Sequence, residues 1–356
     1  MFARIRFGAG SVRYVGANGR PRDALRRELP RHDVAYVIAP ESGGMLAGLI
    51  EMTQELRGLE ASLNLPSSAV REASDKLRVC ESLKSSGLAV PKSLALDTTN
   101  PRDSAELSST LGFPLVLKPM DGTGCEGLRL AFDEKDVEQS IEGYTDAQLQ
   151  SPVIAQEYVR GIPASVSMLC STGTAMPLSL NRQVVLLDRQ PGRSLYMGGV
   201  VPLDHAAGNR AFQAACEAAE ALGLRRGYVG VDLVLARDGP VIVDVNPRLT
   251  TSYIGLRKTA SLNVAEWMVR SCLQDDLPVA VQHRGYSVFL KVPTPATDSE
   301  GLKRLSLADR QTTWWAVGRS GVETTYAMVE AHGDSLMKAI TNFKDARSTL
   351  IAPGRR

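Results

Sequence analysis

Two short apolar runs carry acidic side chains at positions suited to holding a metal ion. Gly230-Val231-Asp232-Leu233-Val234-Leu235 is followed by Val241-Ile242-Val243-Asp244-Val245-Asn246-Pro247-Arg248. Both runs are rich in β-branched residues, and Arg237-Asp238-Gly239-Pro240 between them is a turn signal. They read as adjacent strands, which lets Asp232 and Asp244 approach each other across the pair. Asp244 and Asn246 alternate with Val245, so their side chains leave the same face. Two carboxylates and an amide oxygen on one face make the hard-oxygen site that Mg²⁺ prefers, with waters and substrate phosphates completing the shell. Asp232 sits between Val231 and Leu233, and a buried carboxylate there needs a metal or a cationic partner. Asn246, just before Pro247, also suits a plain turn. Arg248 suits either a structural ion pair or a phosphate contact.

A glycine-rich loop lies upstream: Lys118-Pro119-Met120-Asp121-Gly122-Thr123-Gly124-Cys125-Glu126-Gly127. It follows Phe113-Pro114-Leu115-Val116-Leu117 and precedes Leu128-Arg129-Leu130-Ala131-Phe132, so it joins two strands. A P-loop needs Gly-Lys-Ser/Thr opening a helix, and a dinucleotide fingerprint also opens a helix, so both are excluded. Glycines allow close backbone approach to a phosphate and let N–H groups point inward. Lys118 closes an otherwise apolar strand, where an unused charge would be costly. The alternative is a surface hairpin. Cys125 in the loop has no histidine or helix N-terminus nearby in sequence to activate it, and reads as a small loop residue.

Other elements follow from periodicity. Residues 34–39 read as a buried strand ending at the loop Pro40-Glu41-Ser42-Gly43-Gly44. Glu41 and Ser42 then stand where open α/β sheets bind ligands, or in a simple polar loop. Phe2 to Phe7 reads as a first strand of the same small domain, with Gly8-Ala9-Gly10 after it. Helices are expected over 45–58, 75–87, 101–112, 208–223, 262–274 and 334–350. The last of these places Leu336, Met337, Ile340, Phe343 and Leu350 inward. Strands are expected over 153–159, 165–170, 175–187, 286–292, 312–317 and 324–330. Trp314-Trp315 reads as packing, and 353–356 as a tail.

Composition narrows the function classes. The chain has 356 residues, 44% hydrophobic and 22% charged, enough for two or three domains. A net charge of +2 gives no reason to expect nucleic acid or a membrane as partner. Arginines at 4, 6, 13, 20, 22, 26, 27 and 31 read as a solvated basic face. The five cysteines form no Cys-x-x-Cys, and with four histidines a zinc site is not expected. The pattern suits a reducing cytoplasm. No apolar run approaches the ~20 residues that span a bilayer, and the N-terminus has no apolar signal core.

Three motifs in this order resemble the ATP-grasp superfamily: Ser74-Asp75-Lys76-Leu77-Arg78, the Lys118 glycine loop, and Asp232…Asp244-Val245-Asn246. Ala39-Pro40-Glu41, Gln156-Glu157-Tyr158-Val159-Arg160-Gly161 and Asn246 to Gly255 are further similar to the tyramine–L-glutamate ligase group of methanofuran and methylofuran biosynthesis. The resemblance implies an α/β (α+β) ATP-grasp fold. Residues 1–75 would form a small open-sheet domain, 76–278 the ATP-grasp domain with a lid at about 88–157, and 279–356 a C-terminal α/β segment. It also implies roles. Lys76 and Lys118 would contact the phosphates of ATP, and Gly122, Gly124 and Gly127 would close over them. Gln156, Glu157, Tyr158 and Val159 would lie along adenine. Asp232, Asp244 and Asn246 would hold Mg²⁺, for which Mn²⁺ could substitute. Arg248 would face the transferring phosphoryl group, with Lys118 as the second catalytic residue. Asn181, Arg182 and Glu41 would bind substrate. Many relatives have Glu where Asp244 stands, and Pro163 stands about where many have a ribose-binding Glu, so ribose recognition is unassigned. The implied activity is ligation of an amino-acid carboxylate to an amine through an acyl phosphate, with glutamate and tyramine or tyrosine as substrates. A homodimer is compatible with this. The rivals are another amino-acid ligase of the superfamily, a small-molecule kinase, and a non-catalytic ATP-binding module.

Overall fold

The computed structural model describes residues 20–96, 107, 109–120, 124–125, 127–146, 152–190, 194–293, 312–317 and 326–351. Phe2 to Phe7, Gly122, most of 101–112, the tail and the side chains of Trp314 and Trp315 lie outside what is described.

Helices and two antiparallel sheets make an α+β architecture. The smaller sheet has four strands: β1 (Ser93–Leu96), β2 (Leu115–Pro119), β3 (Arg129–Ala131) and β4 (Val153–Glu157), in the order β1-β4-β2-β3. The larger has eight: β5 (Ile162–Ser171), β6 (Thr174–Leu186), β7 (Leu195–Val201), β8 (Gly227–Leu235), β9 (Pro240–Asn246), β10 (Tyr286–Pro293), β11 (Thr312–Val317) and β12 (Tyr326–Gly333). Their order is β11-β12-β10-β7-β6-β5-β8-β9. Because β10 pairs with β7, the segment after residue 279 continues the central sheet.

The helices are α1 (Pro21–Glu28), α2 (Met45–Arg57), α3 (Ser67–Ser74), α4 (Lys76–Ser85), α5 (Glu134–Asp146), α6 (Gly208–Ala221), α7 (Tyr253–Thr259), α8 (Val264–Leu273) and α9 (Leu336–Ile351). Helix α6 presents Ala211, Ala215, Ala218 and Ala219 to one sheet face, against Val166, Met168 and Val231. Small side chains there let the helix lie close to the sheet. On the opposite face, Tyr228, Phe289 and Leu169 pack with Tyr253, Ile254 and Met268 of α7 and α8. Asp232, Asp244 and Asn246 stand on this second face, opposite Val231 and Val245 of the α6-side core.

The smaller sheet has its own core, in which Leu115, Leu117, Val153 and Ala155 meet Val137, Ile141 and Tyr144 of α5. The expected elements omit α5, whose sequence is mostly polar. Its inward residues nonetheless recur at i, i+4 and i+7, the spacing of one helical face. Tyr144 Oη lies 2.7 Å from the Gly127 carbonyl and 3.2 Å from that of Leu117, so α5 is tied to both arms of the glycine hairpin.

Two expectations are corrected. Residues 34–39 do not form a strand, and only Ala35 makes a bridge, parallel to Ser62. The side chain of Asn64 takes the place of a neighbouring strand. It accepts the Val37 N–H at 2.8 Å and donates to the Val37 carbonyl at 3.0 Å, so the extended backbone is satisfied without a ladder. On α9 the inward face is Ala339, Phe343 and Ala346. Leu336 and Met337, at its exposed first turn, are 40% and 71% exposed.

Replacing Tyr144 with Phe should destabilise the smaller sheet by about 1–2 kcal/mol, because a buried carbonyl loses its donor. Urea unfolding followed through the smaller sheet, by hydrogen exchange of β2 and β3, checks this. Unchanged protection would contradict it.

Candidate active site

The site begins with strand register. Asp232 on β8 is paired directly with Asp244 on β9, and Gly230 with Asn246. Val245 between them is buried in the α6-side core, so Asp244 and Asn246 leave the other face. The pairing then slips between Asp232 and Leu233, whose partner is Ile242. Val243 is therefore the extra residue of a β-bulge, which breaks the ladder locally and re-aims backbone groups. The Val243 carbonyl accepts the Lys118 ammonium at 3.0 Å. Lys118 comes from β2 of the smaller sheet, so this bond spans the cleft between the two sheets.

The Asp232 carboxylate is heavily engaged, whereas Asp244 Oδ1 accepts the neighbouring Val245 N–H at 3.1 Å. Gln183 Nε2 donates to Asp232 Oδ1 at 2.8 Å, and Asn246 Nδ2 donates to Asp232 Oδ2 at 3.1 Å. Arg248 Nη2 donates to Asn246 Oδ1 at 3.2 Å, and Arg248 Nε to Glu41 Oε1 at 2.7 Å. A continuous network thus runs from Glu41 through Arg248 and Asn246 to Asp232 and Gln183. Burial, reinforced by the neighbouring Asp244, pushes the Asp232 carboxyl up to about 7. Burial also raises Glu41, which Arg248 opposes. The Lys118 ammonium is pulled down by burial, with Asp244 working against that shift. A half-buried carboxylate pair beside a desolvated ammonium favours ligands that carry both a cation and anionic oxygens.

Two oxygens-rich acids and an amide suit a hard cation with open positions. Among the described residues, no three His, Cys, Asp or Glu side chains cluster as a ready-made metal cage. Asn246 Oδ1 accepts Arg248 with one lone pair, which leaves the other for a metal ion.

The other expected residues are placed as follows. Asp75 caps α4 by accepting the Arg78 N–H at 3.1 Å, which sets Lys76 at the helix's first turn. Lys76 Nζ donates to the Met120 carbonyl at 2.8 Å, beside the glycine loop. Gly124 and Gly127 have φ of +62° and +70°, which L side chains rarely adopt. A Cβ on Gly127 would also lie 2.7 Å from Pro119 Cγ. Gln156 on β4 is buried and donates to Ser93 Oγ at 2.8 Å and towards Cys80 Sγ at 3.3 Å. The Glu157 N–H donates to the Lys92 carbonyl at 3.0 Å, and the Tyr158 N–H to that of Pro114 at 3.0 Å. Val159 follows β4, half-buried.

Asn181 and Arg182 do not line one pocket. They are consecutive strand residues and point to opposite faces. Asn181 is fully buried and bonded to Ser165, Ser167 and Ser179. Arg182 donates to the carbonyls of Pro163 and Gln183 at 2.7 and 2.8 Å. Glu41 reaches the site, through Arg248. Sequence reasoning missed Gln183, although it shares a face with Asn181. It also missed Tyr196, which hydrogen-bonds Ser252 beside Asp232. The Val243 carbonyl carries no residue-type signal at all.

A lysine from a glycine hairpin reaching across to paired carboxylates is one half of the case for a family. The other half is a match of the ATP-grasp domain profile to residues 73–252. The chain belongs to the ATP-grasp family. Its relatives include tyramine–L-glutamate ligase of Methanocaldococcus jannaschii, 27% identical over 72% of this chain and 68% of that protein. A probable alpha-L-glutamate ligase of an Enterobacter species is 27% identical over 73% of this chain and 80% of that one. Among solved structures, N5-carboxyaminoimidazole synthase of Aspergillus clavatus, in complex with ADP and its ribonucleotide, superposes with a TM-score of 0.71. It is 17% identical and covers 92% of this chain and 84% of its own. An L-amino acid ligase of Bacillus licheniformis gives 0.68 at 16% identity, covering 92% and 82%. These structures share the ATP-grasp fold. Among the described residues, no helix is long and apolar enough to cross a membrane.

The Glu41–Arg248 pair is enclosed, with side chains 5% and 22% exposed. A double-mutant cycle with Glu41→Ala and Arg248→Ala should give a coupling of about 1–3 kcal/mol in thermal unfolding. Additive effects would contradict the network.

Proposed function

We propose that this ATP-grasp ligase joins a carboxylate to an amine, with ATP and Mg²⁺. The observation that carries this is the convergence of Lys118 on Val243 beside the Asp232–Asp244 pair. Asp232 and Asp244, with Asn246, are the residues that would hold Mg²⁺, and Lys76 and Lys118 those that would hold phosphate. When bound, Mg-ATP supplies the activated phosphoryl group. The chain's own residues bind, orient and exclude water. Lys118 exchanges the Val243 carbonyl for phosphate oxygens, which keeps its buried charge partnered. Lys76 does the same from Met120. The glycine hairpin covers the phosphates with backbone N–H groups. Arg248, fixed by Glu41, faces the developing charge on the acid. The acid leaves this stage as an acyl phosphate, and the amine displaces phosphate from it to form an amide. No nucleophilic side chain is required. Cys125 fits no such role, because burial pushes its thiol up to about 12.

The finer reading is that the γ-carboxyl of L-glutamate is joined to tyramine or tyrosine, as in a methanofuran- or methylofuran-type route. The tyramine–L-glutamate ligases among the relatives support it. The alpha-L-glutamate ligases support glutamate as a substrate independently of the amine.

Asp244→Asn removes a charge at nearly constant shape. Turnover should fall by about two orders of magnitude or more, in keeping with the loss of a metal-held charge. More Mg²⁺ should be needed for half-maximal rate. Steady-state ADP release against Mg²⁺ checks this, and a parent-like Mg²⁺ curve would contradict it.

The nucleotide product should be ADP, not AMP. With glutamate, ATP and hydroxylamine in place of the amine, a γ-hydroxamate should accumulate. AMP release would rule out the mechanism, and a stable phosphorylated product would make the protein a kinase.

A further inference from the structure

We infer that Lys291 anchors a carboxylate of the acid substrate. This rests on the ligase reading and extends it to the C-terminal segment, which the family motifs do not reach. Strand β10 directs Ser287, Phe289 and Lys291 to one face by alternation. Ser287 and Phe289 are fully buried there, and Lys291 is half-buried. Phe289 is paired with Gly199 of β7, and Gly199 with Gln183 of β6. Gln183 in turn donates to Asp232. Lys291 therefore lies on the same sheet face as the carboxylates, on β10, which β7, β6 and β5 separate from β8. Cys125 of the glycine turn is close enough to feel the charges of both Asp232 and Lys291. The lysine and the acidic pair thus border the space under that turn, together with Tyr196, which also feels Asp232 and Cys125.

The other cations around this space have internal acceptors. Lys118 holds the Val243 carbonyl, Lys76 that of Met120, and Arg248 holds Glu41 and Asn246. Among the described residues, Lys291 has no hydrogen-bond or ion-pair partner. Burial pulls its ammonium down from the ordinary lysine range. An ammonium partly withdrawn from water and left without an acceptor is stabilised by an anion arriving from outside. The phosphates are served by the two lysines beside the glycine hairpin. The remaining anion of a carboxylate–amine ligase is the acid substrate, and Lys291 is the cation left to meet it.

The test compares Lys291→Met and Lys291→Arg with the parent chain. ADP release is measured with glutamate as the acid and hydroxylamine as the amine. The Met variant should raise KM for glutamate by about 10- to 100-fold, the range for losing a charge-assisted hydrogen bond. KM for ATP should stay within about twofold, and the Arg variant should recover most of the loss. An unchanged thermal midpoint shows that the fold is intact. An unchanged KM for glutamate overturns the inference, as does a rise in KM for ATP instead. A parent chain that binds glutamate by calorimetry without turning over fails the ligase reading alone, and the glutamate Kd of the Met variant then decides for or against Lys291. A parent that neither binds nor turns over glutamate overturns both.

Discussion

Two carboxylates placed directly opposite each other on neighbouring strands are the constraint around which this site is built. Like charges in such a pair destabilise a sheet, and burial makes the conflict sharper. The chain resolves it with donors from three directions. Gln183 from β6 and Asn246 from the carboxylate strand itself donate to Asp232, while the Lys118 ammonium from the other sheet, bonded to the Val243 carbonyl, adds a nearby positive charge. The carboxyl of Asp232 still stands near neutrality, about 7. The pair remains electrostatically unfinished, which is the condition that favours a divalent cation.

The β-bulge at Val243 connects that constraint to the architecture. A regular ladder would have engaged the Val243 carbonyl within the sheet. The slip between Asp232 and Leu233 frees it to meet Lys118 across the cleft. Besides that ammonium, the smaller sheet is tied to the rest of the chain by the Leu130 N–H to the Asp188 carbonyl at 3.0 Å, by Lys76 on the Met120 carbonyl, and by Arg189, which pairs with Asp136 at 3.6 Å and lies over the Phe132 ring. The smaller sheet also has its own core, separate from that of the larger sheet. On the proposed function, the glycine turn on the smaller sheet and the Asp232–Asp244 pair on the larger one would supply the phosphate-binding and metal-binding groups from opposite sides of the cleft.

Much of this was legible from residue types. The strands carrying Asp232, Asp244 and Asn246 are β-branched and separated by a strong turn signal, so both their existence and the shared face of Asp244 and Asn246 follow from alternation. The strand–glycine–strand order around Lys118 was equally readable. The remainder depends on long-range geometry. Strand register decides that Val243 is the bulged residue, and a run of valines does not reveal that. Residues 34–39 carry a strand's composition, yet Asn64 satisfies Val37 from 27 positions away. Helix α5 hides its apolar stripe, Val137, Ile141 and Tyr144, in polar sequence. Strand β7 contains Gly198 and Gly199, which lower β propensity. Gln183 and Lys291 gain meaning only once β6, β7 and β10 are laid side by side.

The central claim is that Lys118 and the Asp232–Asp244 pair form one nucleotide–metal site bridging the two sheets. The most direct measurement is anomalous diffraction from crystals grown with Mn²⁺ and a non-hydrolysable ATP analogue. The account predicts an anomalous peak within coordinating distance of Asp232 and Asp244, with the Lys118 ammonium moved from the Val243 carbonyl to a phosphate oxygen. Manganese bound elsewhere, or a nucleotide that leaves the Lys118–Val243 bond in place, would contradict it.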